Sequence, residues 1–291
     1  MNSFGRILRV HIFGESHGEC VGITIDGCPA GLSLTPEDLL PDLERRKGGT
    51  QKGATPRQEE DYPIFKSGIF NGKTTGFPIT ILFENKNTRS EDYNKQRSIP
   101  RPGHADWVAH QKFGGNEDYR GGGHFSARLT TGIVAAGAIA KKLMPAIKFN
   151  ATVTEIAGEN DLEKGLQKGI DAKDSVGGII ECKVNGLPGG LGESYFDAVE
   201  SVLSHILFAI PAVRGVEFGT GFAAAKMFGS QHNDAIENMD GETRTNHAGG
   251  IVGGISNGNE LVFRLAVKPT SSTPKIQNSL NWDTGTTEDF S

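Results

Sequence analysis

The sequence predicts an α/β protein: a layered β–α sandwich with an internal pseudo-two-fold duplication of a strand–turn–helix unit. Three observations carry this reading. Asp26-Gly-Cys-Pro-Ala-Gly-Leu32 is matched by Asn185-Gly-Leu-Pro-Gly-Gly-Leu191. Each copy follows a strand-like run and precedes a segment with helical character. A long Ala-rich run after Ser126 supplies a further core helix. Two such halves pack around one core, with helices layered on sheets. Residues 1–291 are read as a single domain.

The elements follow in order. Leu8 to Phe13 and Gly22 to Asp26 are rich in Val and Ile and predict strands. Gly27-Cys-Pro-Ala-Gly31 is a turn. Thr35-Pro36-Glu37-Asp38 starts a helix, with Thr as N-cap and Pro at the first helical position. That helix runs towards Arg45-Arg46-Lys47 and stops at Gly48-Gly49. Phe77 to Phe83 predicts another strand, and Asp106 to Lys112 a short helix. Ser126 caps the long helix ending at Leu143, whose small residues Ala135 to Ala138 predict close packing. Glu159 to Asp174 is charged and reads as a surface insertion between the halves. Gly177 to Val184 is the second-copy strand. Ser194 to Ile210 is the second-copy helix, with Phe196, Val199, Val202, Leu203, Ile206 and Leu207 at helical spacing. Leu261 to Val267 predicts a strand, and the polar tail from Thr273 to Ser291 a weakly ordered end.

Composition excludes several classes. At 291 residues and 36% hydrophobic content the chain can bury a sizeable core. Its 40 glycines lack any strict period, which favours a loop-rich enzyme over a fibrous protein. A net charge of −5 opposes general nucleic-acid binding, which needs a basic face. Cys20, Cys28 and Cys182 form no Cys-x-x-Cys pair and are odd in number, so neither a disulfide scaffold nor a zinc site is expected. A reducing cytoplasm is the simplest setting. There is no apolar leader and no run long enough to cross a bilayer, so no membrane association is expected.

Chemistry concentrates in two segments. Between Arg101 and Arg128 lie three histidines, three acids and three arginines among six glycines. Upstream, Phe13-Gly-Glu-Ser-His17-Gly18 has the same character. Imidazoles titrate near neutral pH, and arginines fork onto phosphate and carboxylate oxygens. Both segments suit an enzyme acting on an anionic, phosphate-bearing small molecule. His17, in a Gly-flanked loop after a strand, is a general acid or base with room for a ligand; the bland alternative is a loop histidine bonded to backbone. Gly14-Glu-Ser16-His-Gly18 also has the Gly-x-Ser-x-Gly form of a hydrolase nucleophile elbow. The elbow must lead into a helix, however, and here the chain runs into another strand. His104 lies near a predicted helix N-terminus, which favours neutral imidazole and nearby anions. His104-Ala-Asp106 could be a ligand pair, but no third ligand stands at suitable spacing, and no metal is expected. Arg45, Arg46, Lys47, Lys52 and Arg57 form a basic run that is either a solvated helix end or an anion site. Gly121-Gly-Gly-His124-Phe125-Ser126 opens the long helix and could present free amides to a phosphate. Neither a P-loop nor a dinucleotide fingerprint is present. Lys268-Pro269-Thr270-Ser271-Ser272 ends a strand, and its hydroxyls and ammonium could hold a phosphate or a flavin edge; read alone it is an ordinary turn.

Taken in order, these pieces resemble the chorismate synthase family. The matching motifs are Phe13-Gly-Glu-Ser-His-Gly18, Glu44-Arg-Arg46, Asn87-Thr-Arg-Ser90, Arg101-Pro-Gly-His-Ala-Asp106, Asp118-Tyr-Arg-Gly-Gly-Gly123, Ser126-Ala-Arg128 and Val134-Ala-Ala-Gly-Ala138. They continue with Gly215-Val-Glu217, Asn246-His-Ala-Gly-Gly250, Gly253-Gly-Ile-Ser256 and Lys268-Pro-Thr-Ser-Ser272. The resemblance implies a carbon–oxygen lyase of the shikimate pathway. It would eliminate phosphate from 5-enolpyruvylshikimate 3-phosphate in an anti-1,4 sense, giving chorismate for aromatic amino acid biosynthesis. Reduced FMN is implied, with no net redox change.

By this resemblance His17 protonates the departing phosphate and His104 protonates the reduced flavin near N1. Ser16, Arg46, Lys52 and Arg128 hold substrate. His124, Phe125, Ser126, Ala212, Gly253 and Lys268 to Ser272 match FMN-binding positions. Arg46 and Lys52 also match positions assigned to NADPH in bifunctional members. No separate reductase module is visible, so reduced FMN is expected from outside. A homotetramer is implied. This chain has His124-Phe125-Ser126 where many members have Arg-Ser-Ser, so the flavin contact there is expected to use backbone. The family also continues to a Gly-Arg-His-Asp segment, whereas this sequence stops at Asp289-Phe290-Ser291. A catalytically impaired flavin-binding form is therefore the alternative expectation, and a hydrolase using Ser16 a more distant one.

Overall fold

The computed structural model describes residues 2–48, 59–87 and 97–290. The chain divides into two compact units, residues 1–143 with 274–291, and residues 144–273.

In the first unit, β1 (Ser3–Phe4), β2 (Arg9–Gly14), β3 (Cys20–Asp26), β4 (Ile64–Ser67) and β5 (Ile79–Glu84) form one antiparallel sheet in the order β1-β2-β3-β5-β4. Strand alternation sets its buried face. Val21, Ile23 and Ile25 of β3 pair with Phe83, Ile81 and Ile79 of β5 in register, and all six are buried. Over that face lie α1 (Leu40–Arg46) and α3 (Thr130–Leu143), which contribute Leu43, Ala135, Ala138 and Ile139 to the same core. Gly132 lets α3 approach β3: a Cβ there would stand 3.1 Å from that of Ile23. The predicted close packing of this helix thus comes from Gly132, Ala135 and Ala138, while Gly137 faces open space. The short helix α2 (Asp106–Phe113) lies between β5 and α3 in sequence.

In the second unit, β6 (Lys148–Ile156), β7 (Gly178–Asn185), β8 (Val213–Phe218) and β9 (Leu261–Val267) form an antiparallel sheet in the order β8-β9-β7-β6. Leu261, Phe263 and Leu265 of β9 sit opposite Val184, Cys182 and Ile180 of β7, and α5 (Val199–Leu207) covers them with Val199, Leu203 and Leu207.

The duplication extends beyond the seven-residue match. Apart from β1 and from a helix inserted at Leu162–Ala172 between β6 and β7, both units run strand, strand, helix, strand, strand, and both insert the last strand between the second and third: β2-β3-β5-β4 against β6-β7-β9-β8. Both have an irregular register where the last two strands pair, at Phe65/Ser67 and at Val213/Gly215. The turn after the second strand repeats in detail. Gly27 and Gly186 have φ of 77° and 82°, and Gly31 and Gly190 have φ of 87° and 92°. A Cβ at Gly27 would overlap the Ile7 carbonyl, and one at Gly186 would come within 2.7 Å of the Ala146 carbonyl. Only glycine meets both constraints.

The helix predicted from Pro36 breaks in two, a 3-10 turn at Pro36–Asp38 and then α1. Pro41 lacks the N–H that a continuous helix would direct at Glu37. The second-copy helix breaks likewise, into Tyr195–Asp197 and α5, which leaves Phe196 exposed and off the apolar face assigned to it. The charged insertion contains a helix, α4 (Leu162–Ala172), capped by Asp161, whose carboxylate accepts from Lys164 N–H at 3.1 Å. The tail departs most from expectation. Residues 277–290 form a hairpin of β10 (Gln277–Asn281) and β11 (Thr286–Phe290), folded with the first unit. Its strands are polar, but a full backbone ladder and the side chain of Trp282 order it. No helix among the described residues is long and apolar enough to cross a membrane.

The turn glycines make a test. Gly31→Ala carries only the left-handed backbone penalty, about 1–2 kcal/mol. Gly27→Ala adds a collision with backbone. Urea unfolding should therefore show a larger stability loss for Gly27→Ala; equal losses would contradict the turn geometry.

Candidate active site

The loop Glu15–Glu19 joins β2 to β3 and carries Ser16 and His17, both buried. Two groups hold it. Asn85, just past β5, donates from Nδ2 to the carbonyls of Glu15 (3.0 Å) and Gly18 (2.9 Å). Ser16 N–H donates to the Gly123 carbonyl at 3.1 Å. The loop leads from strand to strand, so Ser16 lacks the strand-to-helix turn of a hydrolase elbow.

Arg128 organises the floor. Its guanidinium donates from Nε to Asn85 Oδ1 at 2.9 Å, from Nη2 to the Glu84 carbonyl at 3.1 Å and from Nη1 to Asp61 Oδ1. The other oxygen of Asp61 accepts from Arg46 Nη2 at 2.8 Å. One buried carboxylate thus joins the end of α1 to the residues that open α3. Arg128 and Asp61 are almost fully enclosed, with side chains 4% and 1% exposed, whereas that of Arg46 is 22% exposed. Arg46 Nε is buried without a hydrogen-bond partner among the described residues, which leaves a donor for an anion. Arg128, expected at the substrate, is committed to the protein. Lys52 lies outside the described residues, as do Arg57 and positions 88–90 of the Asn87 motif.

His104 sits just before α2. Its Nδ1 is 2.5 Å from Asp106 Oδ1. Asp106 also accepts from Arg101 N–H (3.0 Å), Nε (2.8 Å) and Nη2 (2.8 Å). Burial opposes ionisation of Asp106, but the hydrogen bonds from Arg101 and His104 outweigh it and hold its carboxyl well below the usual range. An ionised Asp106 favours the proton on His104 Nδ1, which leaves Nε2 as an acceptor, and Arg101 Nη2 stands 3.3 Å from that Nε2. The His-x-Asp spacing is therefore that of an orienting pair.

The three glycines bring the two histidines to one backbone segment. Gly121, Gly122 and Gly123 have φ of 58°, 80° and 52°. A Cβ on Gly121 would overlap the His17 ring and lie 3.1 Å from Ser16 Oγ. One on Gly122 would lie 3.2 Å from His104 Nε2, and one on Gly123 would overlap the Asp118 carbonyl. Successive residues thus abut His17 and His104. Next in the chain, His124 donates from Nδ1 to the Gly14 carbonyl at 2.9 Å, and Phe125 is partly exposed beside Phe113. Ser126 Oγ accepts from Arg128 N–H at 3.3 Å, the cap expected of it.

The second unit carries the other residues named from the resemblance. Lys268 N–H donates to the Ala212 carbonyl at 2.9 Å, and Lys268 Nζ to Ser271 Oγ at 3.1 Å. Ala212 has φ of 71°, and Gly253 turns the short ribbon of Ile251–Val252 and Ile255–Ser256. An ammonium 3.1 Å from Ser271 Oγ and from the Pro269 carbonyl suits a phosphate monoester. In the first unit, the donor left on Arg46 suits an anionic group. The residues present fit the implied cofactor and substrate.

Sequence reasoning passed over Asp61, Asn85 and Arg101. Asp61 stands in the run Glu59-Glu60-Asp61, which reads as a solvated surface. Only Arg101, inside a recognised motif, carried a usable signal.

Comparison with known proteins identifies the chain's relatives. The family model for chorismate synthase matches residues 8–291. A chorismate synthase of Chitinophaga pinensis is 66% identical over all of this chain and 88% of its own length. One from Methanocaldococcus jannaschii is 41% identical over 98% of this chain and 86% of its own. A crystal structure of chorismate synthase superposes with a TM-score of 0.73 at 28% identity, covering 91% of this chain and 85% of its own.

Two outcomes check the site. Asp61 has φ of 54°, which Asn tolerates, so Asp61→Asn removes charge without backbone strain. It should cost about 3–5 kcal/mol in urea unfolding because Arg128 is left buried and uncompensated; a loss below about 1 kcal/mol would refute the linchpin role. Because Asp106 titrates below its unfolded value, its stabilisation is present above about pH 3.9 and declines as the pH falls further. The stability gap between wild type and Asp106→Asn should shrink on that acid side; a gap that widens there would contradict the ionised pair.

Proposed function

The chain belongs to the chorismate synthase family, and on that premise we propose that it converts 5-enolpyruvylshikimate 3-phosphate to chorismate and phosphate. The elimination breaks the C–O bond to phosphate and a ring C–H bond in an anti-1,4 sense and forms one new double bond, without net redox change. What carries this reading, beside a family match spanning both units, is the approach of His17 and His104 to adjacent glycines. That match also supports treating residues 1–291 as one functional domain.

Reduced FMN, when bound, supplies transient electron donation that eases loss of phosphate. Lys268 and Thr270 to Ser272, with Ala212, Gly253 and the backbone at His124 to Ser126, would hold it. Arg46, whose Nε–H has no partner among the described residues, and Lys52 would hold the substrate's anionic groups. Arg128 serves them by fixing Asp61 and, through it, Arg46. His17 holds a proton for the leaving phosphate, since a neutralised leaving group departs more readily. Its burial excludes water from that transfer. His104, held at Nδ1 by Asp106, takes up and returns a second proton at Nε2.

We take reduced FMN to come from outside, with NADPH used only if the chain reduces its own flavin. Three free cysteines fit a reducing cytoplasm. Phe196, Phe222, Phe228 and Met239 are exposed in the second unit, apolar surface that assembly into a homotetramer would cover. Identity of 66% to a chorismate synthase along the whole chain favours an active enzyme over an impaired flavin-binding form.

The assay is anaerobic, with chemically reduced FMN, substrate and chorismate absorbance. His17→Ala and His104→Ala should each lose about 10²–10⁴-fold in rate, the usual share of general acid–base groups. Near-wild-type rates in both would sink the assigned roles.

A further inference from the structure

The segment bearing Arg101, His104 and Asp106 is gripped at both ends by the C-terminal hairpin. Before Arg101, Ser279 Oγ donates to the Pro100 carbonyl at 2.6 Å, and Trp282 N–H donates to the Ser98 carbonyl at 3.0 Å. After Asp106, the Trp282 indole stacks on His110 of α2 with centroids 4.6 Å apart and planes at 12°. The same indole lies 6.0 Å from the ring of Trp107. Trp282, Arg101, Asp106 and Gly122 together line one cavity of about 50 Å³.

From these anchors to His104 the mechanical path is short. Pro100 fixes the position of Arg101. Arg101 grips Asp106 with its backbone N–H and two guanidinium nitrogens. Asp106 in turn holds His104 Nδ1. Each link is a direct hydrogen bond or a peptide bond. A two-stranded hairpin is marginal by itself, so Trp282 orders the hairpin and the loop together.

We propose that the β10–β11 hairpin, through Ser279 and Trp282, is a positioning element that aims His104. Neither residue touches the reacting atoms. They set the loop in which Arg101 and Asp106 fix the tautomer and direction of the ring. This inference rests on the reading of His104 as an acid–base group.

The test uses NMR of isotope-labelled histidine in the full-length chain, with the His104 signals assigned by their loss in His104→Ala. In wild type His104 holds its proton on Nδ1. In Ser279→Ala and Trp282→Ala the ring shifts to a mixed tautomer population, and kcat falls roughly 10- to 100-fold with little change in KM, as expected for misplacement of a reacting group. Trp282→Phe, which keeps an aromatic plate over His110, restores most of both. Unchanged His104 signals in folded Ser279→Ala and Trp282→Ala would overturn the proposal, as would a fall in kcat without any change at His104. Ser279→Ala removes one oxygen and decides the matter alone if Trp282→Ala does not fold. If His104→Ala turns over at the wild-type rate while Ser279→Ala still moves the ring, the acid–base reading fails and the positioning stands.

Discussion

The first unit depends on one buried carboxylate. Asp61 accepts from Arg128 with one oxygen and from Arg46 with the other. Through Arg128 it reaches Asn85 and the end of β5, and through Asn85 the loop that carries Ser16 and His17. Through Arg46 it reaches the end of α1. Two cations share one anion, so the cluster keeps a net positive charge inside the protein. Such an arrangement is costly to desolvate.

The Gly121–Gly123 segment is the second constraint. Three consecutive left-handed residues produce a backbone without side chains against which two imidazoles rest. A Cβ at Gly121 would displace His17, and one at Gly122 would crowd His104. The two rings are oriented by different means. His104 is bonded to the Asp106 carboxylate, and the His17 loop is bonded through its backbone to Asn85 and Gly123.

The repeated topology separates scaffold from chemistry. Both units use the same strand order and the same glycine turn after the second strand. The histidine loop, the glycine segment and α2 have no counterpart in the second unit, whose own contribution is the Lys268 turn. The same sheet plan therefore carries two histidines against a glycine segment in one copy and an ammonium beside the Ser271 hydroxyl in the other.

Local rules determined much of this. Runs rich in apolar residues placed β3, β5, β7 and β9, the Asn185 segment revealed the repeat, and the histidine and glycine motifs marked the candidate site. These signals act over a few residues, where side-chain period and turn chemistry are decisive. Tertiary structure decided the remainder. Nothing near Asp61 in sequence distinguishes it from Glu59 and Glu60; burial between two arginines distant in the chain does. Arg128 and Arg46 look equivalent as letters, yet one is sealed in the floor and the other keeps a donor free. The polar tail carries no core pattern, and its order comes from a backbone ladder and from Trp282 meeting His110. Hydrogen-bond partners and burial are set by contacts between segments far apart in the chain, and a one-dimensional pattern does not encode those contacts locally.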